Sequence, residues 1–223
     1  MHKGICFVVA VASVAAASPA WAATTVYTDR DSFLSALGAQ RTDAYSPAEG
    51  YAPGFSLLSN ADMSAVFGET RYQSTGFQDI NIIAQEGYCA GCNGSFLLSF
   101  TSTSLGTADG VFGVGTDIRF NSPAAEGPYT AAVTFGDLGS TIFSLPTGPS
   151  FFGITSDRLI NSIAFGPNPS TTKGGFIGID NLTIGSVVGA VPEPSTWALM
   201  LLGFGSIGLA IRRRRVRATI ALA

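Results

Sequence analysis

Val111-Phe112-Gly113-Val114-Gly115-Thr116-Asp117-Ile118-Arg119-Phe120 alternates apolar residues with small or polar ones from Phe112 onward, with one break. Phe112, Val114, Ile118 and Phe120 share one parity, and Thr116 interrupts the series. A period of two marks a strand with one buried face, because successive side chains leave a pleated backbone on opposite sides. Similar runs recur on both sides of this stretch: Thr24–Thr28, Met63–Phe67, Asp79–Ala84, Ser95–Thr101, Tyr129–Phe135, Thr141–Leu145, Phe151–Thr155, Leu159–Phe165 and Phe176–Ile184. Gly, Pro, Asn and Asp punctuate the gaps between them. Short strands about every ten residues, with turn residues between, predict an all-β fold, an antiparallel β-sandwich or jelly-roll-like domain, and not βαβ units.

One short helix is expected ahead of these strands. Asp29 or Asp31 can cap it, Phe33, Leu34 and Leu37 form its apolar face, and Gly38 is placed to end it. Asp29 and Asp31 also make an Asp-x-Asp pair, but capping is the stronger use, since a carboxylate there accepts orphan helix N–H groups. Ala39–Pro53, with Pro47, Gly50 and Pro53, reads as a long surface loop.

The chain has 223 residues, of which 46% are hydrophobic and only 12% charged. That charged share is about half of what a soluble domain carries, which argues against disorder, coiled coils and nucleic-acid binding. The two ends differ from the body. His2 and Lys3 begin a segment whose apolar run, Ile5–Ala17, leads to Ala20-Trp21-Ala22, with small residues at −3 and −1 before Ala23. Residues 1–22 therefore read as a signal peptide for signal peptidase. At the other end Thr196–Ile211 holds sixteen residues without a charge, followed by Arg212, Arg213, Arg214 and Arg215. As a helix it spans roughly 24 Å, short for a ~30 Å hydrocarbon core. The arginine block fixes it as a transmembrane helix with the body outside. Gly203–Gly208 matches G-x-G-x-x-G, but no strand precedes it and no acidic residue follows, so no dinucleotide site is expected.

Just before the apolar span stands Val191-Pro192-Glu193-Pro194-Ser195, where two prolines flank a carboxylate in an extended, accessible strip. The order Pro192–Pro194, Thr196–Ile211, Arg212–Arg215 resembles the PEP-CTERM sorting signal. That resemblance implies recognition by an exosortase, a membrane enzyme of Gram-negative bacteria that make exopolysaccharide. It also implies cutting near the tripeptide, and a body released or attached at the cell surface or in the extracellular matrix. Val216–Ala223 runs on past the arginines, where such signals usually stop. The expected organisation is a signal peptide at 1–22, an ectodomain at 23–190, the sorting signal at 191–215 and a short cytoplasmic tail at 216–223.

Processing at both ends removes chemistry. His2 is the single histidine, and Trp21 and Trp197 are the two tryptophans, so residues 23–191 contain neither type. Ser-His-Asp and Cys-His catalysis and His-ligated zinc are thereby excluded from the body. Residues 23–191 carry fourteen Asp and Glu against six Lys and Arg, a net charge of −8 that repels nucleic-acid phosphates. Cys89-Ala90-Gly91-Cys92 holds the body's two cysteines. In an exported chain this pair reads first as a disulfide. A redox role would want a helix after the first cysteine, and a metal site would want further ligands.

Ser150–Asp157, Ile160–Phe165 and Gly175–Thr183, with Val26–Leu37, look like stretches of the β-rich surface domains that precede this sorting signal. In some jelly-roll carbohydrate-binding modules a final-strand aspartate of this kind holds structural calcium. That resemblance implies Asp180, with Asp29 or Asp31, as calcium ligands, in an ion shell of six to eight oxygens. The expected role is a non-catalytic surface or matrix protein associated with exopolysaccharide. Tyr45, Tyr51, Tyr72, Tyr88 and Tyr129, near expected turns, are its candidate sugar platforms. One alternative is a carboxylate-only glycosidase or polysaccharide lyase using a pair among Glu49, Glu69, Glu86 and Glu126. Another is a structural or adhesive module that associates through sheet edges.

Overall fold

The computed structural model describes residues 23–76, 78–85, 87–92, 94–122, 129–166, 176–188 and 202–204. The expected signal peptide, Val191–Ser195, the four arginines, the 216–223 tail and most of the apolar span lie outside them. In chain order the elements are β1 (Thr24–Tyr27), α1 (Arg30–Ser35), β2 (Leu37–Asp43), a 3-10 turn (Pro47–Glu49), β3 (Phe55–Leu58), α2 (Asn60–Phe67), β4 (Arg71–Ser74) and β5 (Asn81–Ala84). There follow β6 (Tyr88–Cys89), β7 (Phe96–Ser99), β8 (Val111–Ser122), β9 (Thr130–Phe135), β10 (Ser140–Ser144), β11 (Ser150–Gly166) and β12 (Phe176–Val187).

The strands form one curled, antiparallel sheet in the order β10-β9-β11-β8-β12-β6-β5-β3. β11 is where it curls. The expected strands Phe151–Thr155 and Leu159–Phe165 are one continuous element, but its halves have different neighbours. Thr155 and Ile154 pair with β1 and β8, whereas Ile163 and Ala164 pair with β7 and β9. Between the halves Leu159 takes φ 51°, and the register slips between Ile160 and Ser162. A bulge of this kind bends a strand and re-aims its side chains. Val114, Ile118, Ile154 and Ile184 from one half therefore meet Phe96, Val133, Ile163 and Phe165 from the other in a single buried cluster. Each such side chain contributes about 1.5–3 kcal/mol when fully buried.

The opposite face of β8 carries a floor of glycines. Gly113 and Gly115 of β8 lie beside Gly153 of β11 and Gly185 of β12. A Cβ on Gly115 would stand 2.6 Å from the Phe33 ring, and one on Gly185 would stand 2.6 Å from Leu37. The glycines are what let Phe33, Leu37 and Phe151 lie against the sheet as a second cluster, with Tyr27, Leu34 and Phe112 around them. Phe112 accordingly does not share the setting of Val114 and Ile118, as simple alternation had implied. Thr116, the interruption in the pattern, is buried, and its hydroxyl donates to the Asp180 carbonyl at 2.7 Å. That carbonyl belongs to a bulge in β12, where the register with β8 slips between Asp180 and Thr183 and Asn181 takes φ 47°.

Three expectations need correction. α1 ends at Ser35 with Ala36 as its C-cap, whose N–H bonds back to Leu34 and Phe33, and Gly38 is the second residue of β2. Ala39–Pro53 is not a long loop: β2 runs through it to Asp43, paired with β12, and the 3-10 turn follows with a Ser46–Glu49 capping box. Met63–Phe67 is the end of α2 and not a strand. Ser59 caps that helix through the Asp62 N–H, and Gly68 closes it at φ 72°, so the cap residues decide against the apolar run between them.

Candidate functional site

The turn tyrosines do not face solvent. Tyr45, Tyr51, Tyr72, Tyr88 and Tyr129 are all buried, between 0% and 3% exposed, so none offers a sugar platform. The first four surround Asp43, the last residue of β2, which is itself wholly buried. The Tyr51 hydroxyl donates to Asp43 Oδ2 at 2.8 Å, as does that of Tyr72, and the Tyr45 N–H donates to Oδ1 at 3.1 Å. Tyr88 stacks on Tyr45 with ring centroids 5.7 Å apart and donates to Asn81 Oδ1. A carboxylate taken from water is costly unless hydrogen-bonded. Burial raises the Asp43 carboxyl above its ordinary value, and the tyrosine hydrogen bonds pull the other way. Burial likewise pushes the Tyr45 and Tyr72 phenols well up. Sequence reasoning missed Asp43 because it assigned this stretch to a loop. The Asp-x-Tyr spacing of Asp43 and Tyr45 was its only signal.

Of the acidic residues expected around calcium, Asp29 and Asp180 have local partners. Asp29 is the N-cap of α1, accepting from the Ser32 N–H at 2.9 Å and its hydroxyl at 2.7 Å; these bonds hold its carboxyl below the usual range. Asp31 sits exposed in the first turn of α1. Asp180 Oδ1 accepts from the Asn181 N–H at 2.7 Å, and burial raises its carboxyl. Between them comes Arg30. Its Nε donates to Asp117 Oδ1 at 3.2 Å and its Nη1 to Thr183 Oγ1 at 3.2 Å. Its Nη2 donates to the Asn181 carbonyl at 2.9 Å and meets Asp117 Oδ2 at 2.9 Å. The guanidinium also lies 5.0 Å from the Phe151 ring centroid. Its planar fork thus ties α1 to the β12 bulge with a positive charge supplied by the chain itself. Among the described residues no group of three or more His, Cys, Asp or Glu is gathered to hold a metal ion.

Cys89 and Cys92 form a disulfide at the end of β6, ahead of β7. It borders a hollow of about 420 Å³ that Tyr88 and Arg119 also line. Of the carboxylates considered for hydrolysis, Glu49 belongs to the capping box with Ser46, and Glu69 accepts from the N–H and hydroxyl of Ser104, each at 2.7 Å. Glu86 and Glu126 lie outside the described residues.

The remaining candidate is the C-terminal segment. β12 delivers the chain to exposed Val187 and Val188, and residues 202–204 are helical with Leu202 and Phe204 exposed. Among the described residues no helix is long and apolar enough to cross a membrane. Residues 190–215 match the family model described as a PEP-CTERM protein-sorting motif, which encloses Val191–Ser195 and Arg212–Arg215. This chain therefore carries a protein-sorting signal at its C-terminal end. The PEP-CTERM motif marks an exported bacterial protein targeted to an exosortase for surface sorting. No curated protein and no solved structure matches the chain.

Proposed function

We propose that the protein is a non-catalytic surface or matrix component of a Gram-negative bacterium, cut by an exosortase and held in exopolysaccharide. The sorting motif at residues 190–215 carries this reading. In it, signal peptidase removes residues 1–22, and Thr196–Ile211 holds the precursor in the inner membrane until Pro192-Glu193-Pro194 is cut. The curled sheet is read as a β-sandwich whose two layers share β11. The engagement of Glu49 and Glu69 in local hydrogen bonds favours a binding role over hydrolysis. Arg30 bonds to Asp117, Thr183 and the Asn181 carbonyl beside Asp180, and this favours reading the body as needing no ion there.

Replacing Pro192, Glu193 and Pro194 by alanine tests the sorting step. An uncleaved precursor retained in the membrane fraction is the expected result, read by intact mass and fractionation. Unchanged mass and release would refute it. Retention in the matrix is tested separately, by co-sedimentation of the protein with the host's purified exopolysaccharide.

A further inference from the structure

A cavity of about 170 Å³ opens between the end of α2 and strands β4 and β7. Hydroxyl side chains crowd its wall: Ser64, Thr70, Ser99, Thr101 and Ser102. Glu69 and Arg71 add one acceptor and one cationic donor to the same lining. A more open hollow of about 530 Å³ adjoins it, sharing Ser64 and Arg71 and extending to Asn60 and Gln73. Thr70 is 3% exposed, and its hydroxyl has no hydrogen-bond partner. A buried hydroxyl left in that state costs stability unless something completes it.

The lining discriminates among ligand classes. Hydroxyls donate and accept, a guanidinium only donates, and an ionised carboxylate only accepts. That mixture matches a molecule whose own surface is made of hydroxyls. An apolar ligand would leave the Thr70 hydroxyl unpaired. An anion would face Glu69 within a body of net charge −8, and a cation would face the exposed Arg71. Glu69 is held in place by two bonds from Ser104, so its orientation is set before anything binds. The adjoining hollow makes room for a second unit beside the first, which suits a chain better than a lone ring.

We propose that this trough binds a neutral, hexose-based glycan chain, with one sugar ring in the cavity and the next beyond Arg71 towards Gln73. The proposal rests on the reading of the protein as polysaccharide-associated and names the site and the class of sugar. No exposed tyrosine is available to stack on a ring, so hydrogen bonds carry the contact and the affinity is modest.

The test titrates the full chain, in a detergent without a sugar headgroup, with maltohexaose, cellohexaose, mannohexaose and an anionic alginate hexamer, by calorimetry. At least one neutral hexamer is expected to bind, alginate not. Arg71→Ala and, separately, Ser102→Ala are expected to weaken that binding by about tenfold with an unchanged melting temperature, while Leu57→Ser on β3 leaves it intact. Preference for alginate would overturn the proposal, as would binding by no neutral hexamer. Neutral binding untouched by Arg71→Ala and Ser102→Ala would overturn this site while leaving glycan association standing. Co-sedimentation with native polysaccharide reports on the broader reading independently of either result.

Discussion

Asp43 shows how one buried carboxyl couples the molecule to pH. Its native value is raised by burial above the ordinary 3.8, so the folded state holds its proton longer than the unfolded state does. Its contribution to stability is therefore full below 3.8 and is lost as pH rises through the raised native value. The urea midpoint of the wild type, measured against Asp43→Asn, should fall across that interval and stay level above it. A difference that grows with pH would mean that the tyrosine hydrogen bonds outweigh burial. Asp43→Ala removes the acceptor of both the Tyr51 and Tyr72 hydroxyls, and a buried donor left unpaired costs about 1–3 kcal/mol. The sequence could not announce this group. Tyrosines near turns look like surface residues, and only the pairing of β2 with β12 draws Asp43 and Tyr45 inward.

At the scale of elements, α1 is a six-residue helix that local propensity cannot stabilise by itself. Its anchors are Phe33 on the glycine floor and Arg30 on the bulge. Arg30→Lys keeps the charge but loses the fork that reaches Asp117, Thr183 and Asn181 together. Hydrogen exchange should then quicken for α1 amides and remain unchanged for β9. Gly115→Val drives a branched side chain into the Phe33 ring, and overpacking of this sort costs about 1–3 kcal/mol. The expected readout is a lower urea midpoint at constant m-value. The main strands and the Asp29 cap were legible in the sequence because period-two alternation and capping are local signals. β2, β3, β4 and β6 were not, because they are short or polar and exist through their partners. The glycines of β8 were visible but ambiguous, since turns and close helix packing call for the same residue.

For the whole molecule, calcium binding is the expectation with the plainest readout. An ion that bound the native state would raise the melting temperature by mass action. With Arg30 beside Asp117 and Asn181, the melting temperature of the full chain is expected to be the same in EDTA and in millimolar calcium. An upward shift in calcium would point to an oxygen shell elsewhere in the acidic body. Reduction of Cys89–Cys92 should cost about 2 kcal/mol on the chain-entropy account, felt in the β6–β7 connection. The address was the most readable part of the sequence, because proline, apolar length and an arginine block act through composition and order. The proposed trough was the least readable part, since its hydroxyls come from α2, the turn before β4, β7 and the loop after β7, which no spacing links.

The strand that leads into the sorting segment is β12, and it lies inside the sheet, with β8 along one side and β2 and β6 along the other. A protein tethered through that segment and dragged by flowing water receives its load at Val187, along the axis of β12. Pulled lengthwise between antiparallel neighbours, the strand strains its flanking hydrogen bonds in shear, many at once. An edge strand such as β3 or β10, peeled from its end, would lose them one after another. Traction applied at Val187 would therefore meet the hydrogen bonds of β8 and β2 together and not in succession.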